Sequence, residues 1–211
     1  MNNNQGKEEK DIVLTSLQED ALKEIGNVCS GNAATALSQL LNKQISIVVP
    51  RVHFLPVENV PVVVGGAGKM VVGLVLRVLG DVPSTILFIF SQKDALNLAS
   101  FLLKKPVVQG KVITELARSA LKEIGVILAN AYLGALSSFV GMGLVPCAPE
   151  IIVDMAGAIV DYLLIEISCV SKFALLIESE FQEQTTSLKG HFFLIPNSSG
   201  LDVIIKCISQ P

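Results

Sequence analysis

The stretch Asp20-Ala-Leu-Lys-Glu-Ile-Gly-Asn27 opens a predicted helix that continues to about Leu41, and the rest of the chain can be understood from it. At 3.6 residues per turn, one side of this helix is apolar and consists of Leu22, Ile25, Cys29, Ala33, Ala36 and Leu40. The opposite side consists of Asp20, Glu24, Asn27, Gly31 and Ser38. This division predicts an amphipathic helix whose apolar side packs on a core.

Glu24 and Asn27 are neighbours on the outward side of this helix, because residues three positions apart face each other. A carboxylate and a carboxamide one turn apart, beside small residues, could contact another molecule closely. The same pair also fits an ordinary solvated helix face, since such pairs are common on exposed helices. The pair alone leaves both interpretations open.

The phrase recurs 99 residues later as Ser119-Ala-Leu-Lys-Glu-Ile-Gly-Val126, with Ala-Leu-Lys-Glu-Ile-Gly identical in both copies. At the same spacing Pro50 recurs as Pro149. A spacing that is kept across a helix and the following proline indicates an internal duplication. We therefore predict a flexible polar tail at residues 1–11 and a single domain over residues 12–211, built of repeats at about 12–110 and 111–211.

The composition indicates a folded chain without a nucleic-acid footprint. Of its 211 residues, 51% are hydrophobic and 17% are charged, which excludes disorder for most of the length. This length suffices for two fused halves that share a core. The net charge is -3 and no long basic run occurs, so a protein partner is favoured over a nucleic acid.

The four cysteines, at positions 29, 147, 169 and 207, form no Cys-x2-Cys pair. Cys29 lies on the apolar side of the first helix, so we expect buried thiols, with no disulfide and no metal site. The polar N-terminal stretch lacks the apolar core of a signal peptide. These features favour a cytoplasmic protein.

Residues 124–149 carry no formal charge, and a segment of this length could span a membrane. Polar or helix-weakening residues interrupt it, namely Asn130, Ser137, Ser138, Gly141, Gly143 and Pro146. Lys and Arg are not in excess at either end. Its counterpart, residues 25–50, has the pattern of an amphipathic helix followed by a strand. We therefore expect no membrane span.

The other predicted elements are a mixture of helices and strands. In the first half we predict a strand at 44–50, a loop at 51–56, a strand at 60–66, a hairpin of strands 69–79 and 85–91, and a helix from the Ser91 cap to Leu103, ended by Lys104-Lys105-Pro106. In the second half we predict a helix at 114–139, strands at 162–170 and 173–177, and a final hairpin of 192–196 and 201–208. The helix at 94–103 has no clear counterpart there, and the polar stretch 178–187 takes its place.

The pattern Asp20-x3-Glu24-x2-Asn27-x22-Pro50 resembles the active-site signature of the CheC/CheX/FliY family of chemotaxis phosphatases, and the second copy departs from it at Val126. The resemblance implies an α/β fold of the α+β type, with pseudo-twofold symmetry and both motif helices side by side on a shared antiparallel sheet. It implies hydrolysis of the aspartyl phosphate of the response regulator CheY. It also implies that Asn27 orients the attacking water and Glu24 grips a lysine of the regulator.

The resemblance places the magnesium ion on the regulator, so we expect no cofactor of the chain's own. Asp20 either extends the acidic contact with the regulator or favours the helix start, and we prefer the second role. Ser119, Glu123 and Val126 would contact the partner from the second copy. Valine has no hydrogen-bonding side chain and cannot hold a water. Asn130 lies one turn further on, about 5.4 Å along the axis, which is too far to replace the missing amide.

The sequence leaves a second class of function open, that of a non-catalytic interaction protein. Members of the resembled family also bind the receptor deamidase CheD, and an exposed Val126 would suit a contact surface. No conventional nucleophile set competes with the motif. His53 and His191 lie outside both copies, and we expect them to be structural because a lone histidine needs an orienting partner to act as a base.

Overall fold

Two helices of equal length, α1 (Ser16–Leu41) and α4 (Glu115–Val140), carry the repeated phrase in the computed structural model. The structure describes residues 12, 14–104, 113–166, 172–183 and 186–209. Each helix has 26 residues and begins after a threonine, Thr15 or Thr114, whose hydroxyl accepts the backbone N–H three residues later. Because the two threonines occupy equivalent positions, both helices start at the same place and are capped in the same way.

The two long helices also end alike. Asn42 and Gly141, which follow them, both adopt the left-handed backbone conformation that closes a last helical turn. The N–H of each cap residue donates to a serine carbonyl, that of Ser38 or Ser137. The two copies therefore share the beginning and the end of their long helix as well as the repeated phrase.

The same order of elements follows each long helix. After α1 come β1 (Ile45–Val48), β2 (Val52–Pro56), a 3-10 turn (Val57–Asn59) with α2 (Val60–Val63), β3 (Met70–Gly80), β4 (Ser84–Ser91) and α3 (Gln92–Leu103). After α4 come β5 (Leu144–Pro146), β6 (Glu150–Met155), α5 (Ala156–Glu166), β7 (Phe173–Glu183), β8 (Thr186–Pro196) and α6 (Ser198–Ile208). The side chains of Ser91 and Asn197 cap α3 and α6 in the same manner.

The strands form one antiparallel sheet in which the halves exchange their edge strands. The order is β1-β7-β8-β4-β3-β5, with β2 also paired to β7 and β6 also paired to β3. The short strands of each half therefore pair with the hairpin of the other half. At the centre β4 pairs with β8, and Leu87 lies opposite Phe193. The predicted fold class, with its pseudo-twofold arrangement on a shared antiparallel sheet, is confirmed.

Helices cover both faces of the sheet. The first face and helices α1, α3, α4 and α6 enclose the larger core, while α2 and α5 pack on the second face. Tyr132 of α4 lies in the larger core, where its ring stacks on Phe192 with centroids 4.5 Å apart and meets Phe88 edge-on at 6.0 Å. Its hydroxyl oxygen is 2.5 Å from that of Ser179 on β7, so the buried polar end is satisfied.

Helix α4 is long and apolar enough to cross a membrane by length and composition. In the structure, however, its apolar side packs into the larger core, with Leu121, Ile124, Leu128, Tyr132 and Leu136 buried. Buried positions that recur every three or four residues are typical of a helix lying on a sheet. Packing within the protein thus accounts for the lack of charge in the first part of residues 124–149.

Three predicted strands are wrong, because the segments are helical. Residues 162–166 end α5, residues 201–208 belong to α6, and residues 60–63 of the strand predicted at 60–66 form α2. The loop predicted at 51–56 is also wrong, since residues 52–56 form β2. All three segments are short apolar runs rich in Val, Ile and Leu, and such runs do not separate a strand from a buried helix by periodicity. In α5 and α6 only part of the surface is buried, as Leu163 and Ile204 are.

The predicted counterpart of the first-half helix is also wrong. Residues 178–183 belong to β7 and residues 186–187 to β8, and α6 is the helix that follows these strands as α3 follows the first hairpin. The hairpin of β3 and β4 and helix α3 are confirmed, and the strand predicted at 173–177 extends to Glu183. The predictions for residues 1–11, for Lys105-Pro106 and for Cys169 lie outside the described residues.

Neither half is expected to fold alone, because each hairpin obtains its outer neighbour from the other half. Expressed separately, segments 12–110 and 111–211 should show no cooperative unfolding transition, and mixing or co-expressing them should restore one. Circular dichroism during urea titration measures this. A monomeric half that unfolds cooperatively by itself would contradict the exchange of edge strands as the basis of stability.

Candidate functional site

Helices α1 and α4 lie side by side on the first face of the sheet, so both copies of the phrase belong to one side of the molecule. Small residues allow this close packing, and Ala33 of α1 and Ala129 of α4 are fully buried. The Cys29 thiol lies 3.6 Å from the carbonyl oxygen of Tyr132 and donates to it across the helix pair. The apolar sides of the two helices are therefore used for packing, and their polar sides remain exposed.

Asn27 and Glu24 are both exposed on α1, as a site that meets a partner requires. The backbone carbonyl of Asn27 accepts a 2.9 Å hydrogen bond from the Ser30 hydroxyl. Its carboxamide, and the carboxylate of Glu24, have no hydrogen-bond or ion-pair partner among the described residues. These groups are thus available to a molecule that approaches α1 from solvent.

Asp20 lies one turn before Glu24 and is also exposed. Its carboxylate is 3.4 Å from the ammonium group of Lys23, and both side chains are well exposed, so the pair contributes at most about 1 kcal/mol to stability. The first turn of α1 contains Glu19 and not Asp20. Because the helix dipole acts within the first turn, the preferred role of Asp20 at the helix start is wrong. Asp20 instead lies on the exposed polar side of α1, one turn before Glu24.

The second copy presents its residues in the same way on α4. Ser119 and Glu123 are exposed, and Val126, at the position of Asn27, is 36% exposed. The side-chain amide of Asn130 donates to the backbone carbonyl of Val126 at 2.9 Å. That bond holds the Asn130 side chain against its own helix, so it does not fill the position of the missing carboxamide.

The histidines lie on strands of the sheet and belong to neither phrase. His53 is on β2 and His191 is on β8, directly opposite Glu178 of β7. Burial lowers the pKa of both imidazoles, and the negative charge of Glu178 opposes this shift. No three His, Cys, Asp or Glu side chains within the described part of the chain are placed to hold a metal ion. The exposed sides of α1 and α4 therefore offer the chemistry of a carboxamide and of carboxylates.

Comparison with solved structures shows the same fold. FliY from Thermotoga maritima has a TM-score of 0.72 at 21% identity, over 94% of this chain and 98% of that chain. A chain of the CheX–CheY–BeF3–Mg2+ complex from Borrelia burgdorferi has a TM-score of 0.50 at 14% identity, over 82% of this chain and 97% of that chain. The class defined by this likeness is a mixed fold of helices on an antiparallel sheet.

Sequence comparison is more specific. The "CheY-P phosphatase CheC" of Bacillus subtilis (strain 168) is 34% identical over 184 residues, which cover 85% of this chain and 88% of that relative. The model of the CheC-like family matches residues 17–54, the segment that contains the first phrase and Pro50. The chain belongs to the CheC-like family.

Sequence reasoning passed over one feature of the phrase, its glycine. Gly26 and Gly125 are buried, and a Cβ atom built on either would lie within 3 Å of another side chain. Glycine in a helix interior costs roughly 0.5–1 kcal/mol relative to alanine. A glycine at the same position of both copies is the sequence feature that indicates a close contact on the inner side of each helix.

Cys29 is expected to be unreactive while the protein is folded. Burial raises the pKa of its thiol to about 12, so the nucleophilic thiolate is scarce at pH 8. Iodoacetamide at pH 8, followed by peptide mass spectrometry, should modify Cys29 only after denaturation. Cys207, which is half-buried, is the internal reference for labelling of the folded chain. Modification of Cys29 at the rate of a free thiol in the native protein would contradict its burial between α1 and α4.

Proposed function

We propose that the chain is a phosphatase that hydrolyses the aspartyl phosphate of the response regulator CheY, acting through Glu24 and Asn27. The observation that carries the proposal is the exposed carboxamide of Asn27, free of side-chain partners among the described residues, one turn from the exposed carboxylate of Glu24. The B. subtilis relative named as a CheY-P phosphatase supports the same activity.

Asn27 would enter the regulator's site and hold the attacking water in line with the phosphorus–oxygen bond that breaks. A carboxamide suits this task because it both donates and accepts hydrogen bonds and adds no charge beside the phosphate. In phosphoryl transfer, positioning and electrostatic stabilisation supply most of the catalysis. The regulator supplies the magnesium ion, and the chain contributes no cofactor.

Glu24 would form an ion pair with a lysine of the regulator that lies beside the phosphate. A carboxylate that binds a lysine at an interface fixes the register of docking, and it adds more to specificity than to affinity. Asp20, one turn away and only loosely paired with Lys23, would extend the acidic contact. In this proposal the three polar side chains of α1 have separate roles. Asp20 attracts the regulator, Glu24 binds its lysine, and Asn27 orients the attacking water.

The second copy would dock a regulator without hydrolysing its phosphate. Ser119 and Glu123 offer the same exposed polar contacts as the first copy, and Val126 offers an apolar one. Without a carboxamide, no side-chain atom at position 126 holds a water. We propose one hydrolytic site per chain, on α1, and a degenerate contact surface on α4.

A second candidate function, that of a non-catalytic adaptor or sink, is favoured by one observation. Val126 and Val28 are apolar yet 36% and 49% exposed on the helices that carry the phrases. Exposed apolar side chains of this kind suit a protein contact, for which the deamidase CheD or phosphorylated CheY would be the partner. In either function we expect the protein to meet these partners in the cytoplasm, and we propose neither a nucleic-acid partner nor a membrane span.

Asn27→Ala is expected to reduce dephosphorylation to the spontaneous rate of the regulator, because alanine cannot orient a water. The variant should still bind beryllofluoride-activated CheY, since Glu24 is unchanged. Phosphate release from phosphorylated CheY and a binding titration measure the two properties. Asn130→Ala is the matched control: it removes an exposed helical carboxamide outside the site and should leave the rate unchanged.

A parent chain that does not accelerate phosphate release would favour the adaptor function. An Asn27→Ala variant that retains the parent rate would show that the catalytic role belongs to another residue. The first outcome tests whether the chain has phosphatase activity, and the second tests whether Asn27 is the residue responsible for it.

Val126→Asn is expected to raise the phosphatase rate about twofold, because it places a carboxamide at the position equivalent to Asn27 on a helix with the same start and length. Initial rates at saturating phosphorylated CheY measure the gain. Val126→Ala, which removes the same branched side chain without adding an amide, should show no gain. An unchanged rate in Val126→Asn would mean that other contacts of the second copy have diverged as well.

A further inference from the structure

We propose that Gly26 is a positioning residue for Asn27, and that its contact with the two valines flanking Pro50 sets the position of α1 for catalysis. The inference rests on the proposed phosphatase function and adds a residue that touches neither the regulator nor the water. It concerns the inner side of α1, whereas Glu24 and Asn27 occupy the outer side.

The contact behind Gly26 leaves no room for a side chain. A Cβ atom built on Gly26 would lie 2.6 Å from Cγ2 of Val52 and 3.1 Å from Cγ1 of Val49. Carbon atoms attract best at about 3.5–4.0 Å, so a methyl group here would force one of the partners to move. Valine is branched at Cβ and restricted at χ1, and therefore neither side chain can swing aside easily.

The two valines are themselves held firmly. Val49 and Val52 lie on either side of Arg51 and Pro50, the proline of the signature, whose ring fixes its own φ angle. Val52 begins β2 and pairs with Ile177 of β7, and β1 just before also pairs with β7. The segment behind Gly26 is thus fixed by backbone hydrogen bonds to the other half of the sheet. The signature proline lies within this segment, between the two valines.

A displacement at Gly26 would pass directly to Asn27, the next residue of the same helix. A misplacement of about 1 Å can reduce a rate by about 100-fold when catalysis depends on position. Not every glycine of these helices has this role. A Cβ atom on Gly31 or Gly134 would meet no atom within 4 Å, so the close contact is specific to the glycine of the phrase.

The second copy provides a matched control. A Cβ atom on Gly125 would lie 2.7 Å from Cδ2 of Leu74 and 3.8 Å from Cβ of Pro149. The steric problem is similar, but α4 lacks the catalytic amide because Val126 follows Gly125. A methyl group at Gly125 should therefore disturb packing without disturbing the chemistry on α1.

The experiment compares Gly26→Ala with Gly125→Ala in the full chain. For each folded variant, the urea midpoint, the affinity for beryllofluoride-activated CheY, and kcat and KM on phosphorylated CheY are measured. Gly26→Ala should lower kcat at least about tenfold with little change in KM. Gly125→Ala should keep kcat within about twofold of the parent value, even if its urea midpoint falls as far as that of Gly26→Ala.

A third variant tests the contact itself. Val52→Ala removes the methyl group that the new side chain in Gly26→Ala would strike. The double variant, Gly26→Ala with Val52→Ala, should therefore recover most of the kcat that is lost in Gly26→Ala alone. This rescue also answers the case in which Gly26→Ala alone is poorly folded. Equal kcat losses in the two glycine variants, or an unchanged kcat in folded Gly26→Ala, would overturn the positioning role.

The failure of this inference is distinguishable from the failure of the proposed function. If the parent chain does not accelerate phosphate release, or Asn27→Ala is as active as the parent, the phosphatase assignment fails first. If both of those tests succeed and the double variant shows no recovery of kcat, only the role of Gly26 is wrong.

Discussion

Backbone pairing of β2 with β7, and of β6 with β3, joins the two halves of the chain, and the positions of the long helices depend on it. Gly26 of α1 lies against Val52 of β2, and Gly125 of α4 lies against Leu74 of β3. Each helix therefore rests on a strand whose pairing crosses between the halves. The side-by-side placement of α1 and α4 is a result of this exchange, and the shared exposed surface follows from that placement.

The asymmetry between the two copies costs the fold little. Asn27 and Val126 are both exposed, and surface substitutions usually change stability by less than about 0.5 kcal/mol. The buried side of both helices, by contrast, is tightly constrained: Cys29 lies between them, and burial raises its pKa. The two sides of one helix are therefore under different constraints. Packing determines the inner side, and contact with a partner determines the outer side.

The long helices, the first hairpin and the exposed motif residues could be predicted because their signals are local and repeated. The apolar side of α1 from Leu22 to Ala33 is readable at helical spacing. Beyond Ala33 the fully buried positions are Leu37 and Leu41 and not the predicted Ala36 and Leu40. The helix also begins at Ser16, after the Thr15 cap, four residues before the predicted start at Asp20. Helices α5 and α6 could not be predicted, since their β-branched and apolar runs fit a strand equally well. The Asn197-Ser-Ser-Gly200 stretch is a helix cap that also reads as a turn. The exchange of edge strands was beyond prediction because it joins residues far apart in the chain.

The exchange of edge strands between the halves also bears on how a duplicated chain of this kind arises. A half-length polypeptide with these elements would have no neighbour for the outer edge of its hairpin except the first strands of another copy. Two copies could complete one sheet only as a symmetric pair, each lending its strands to the other. Fusion into one polypeptide makes that association independent of concentration. It also frees each copy from the requirement of identity, so that one copy can carry an asparagine where the other carries a valine.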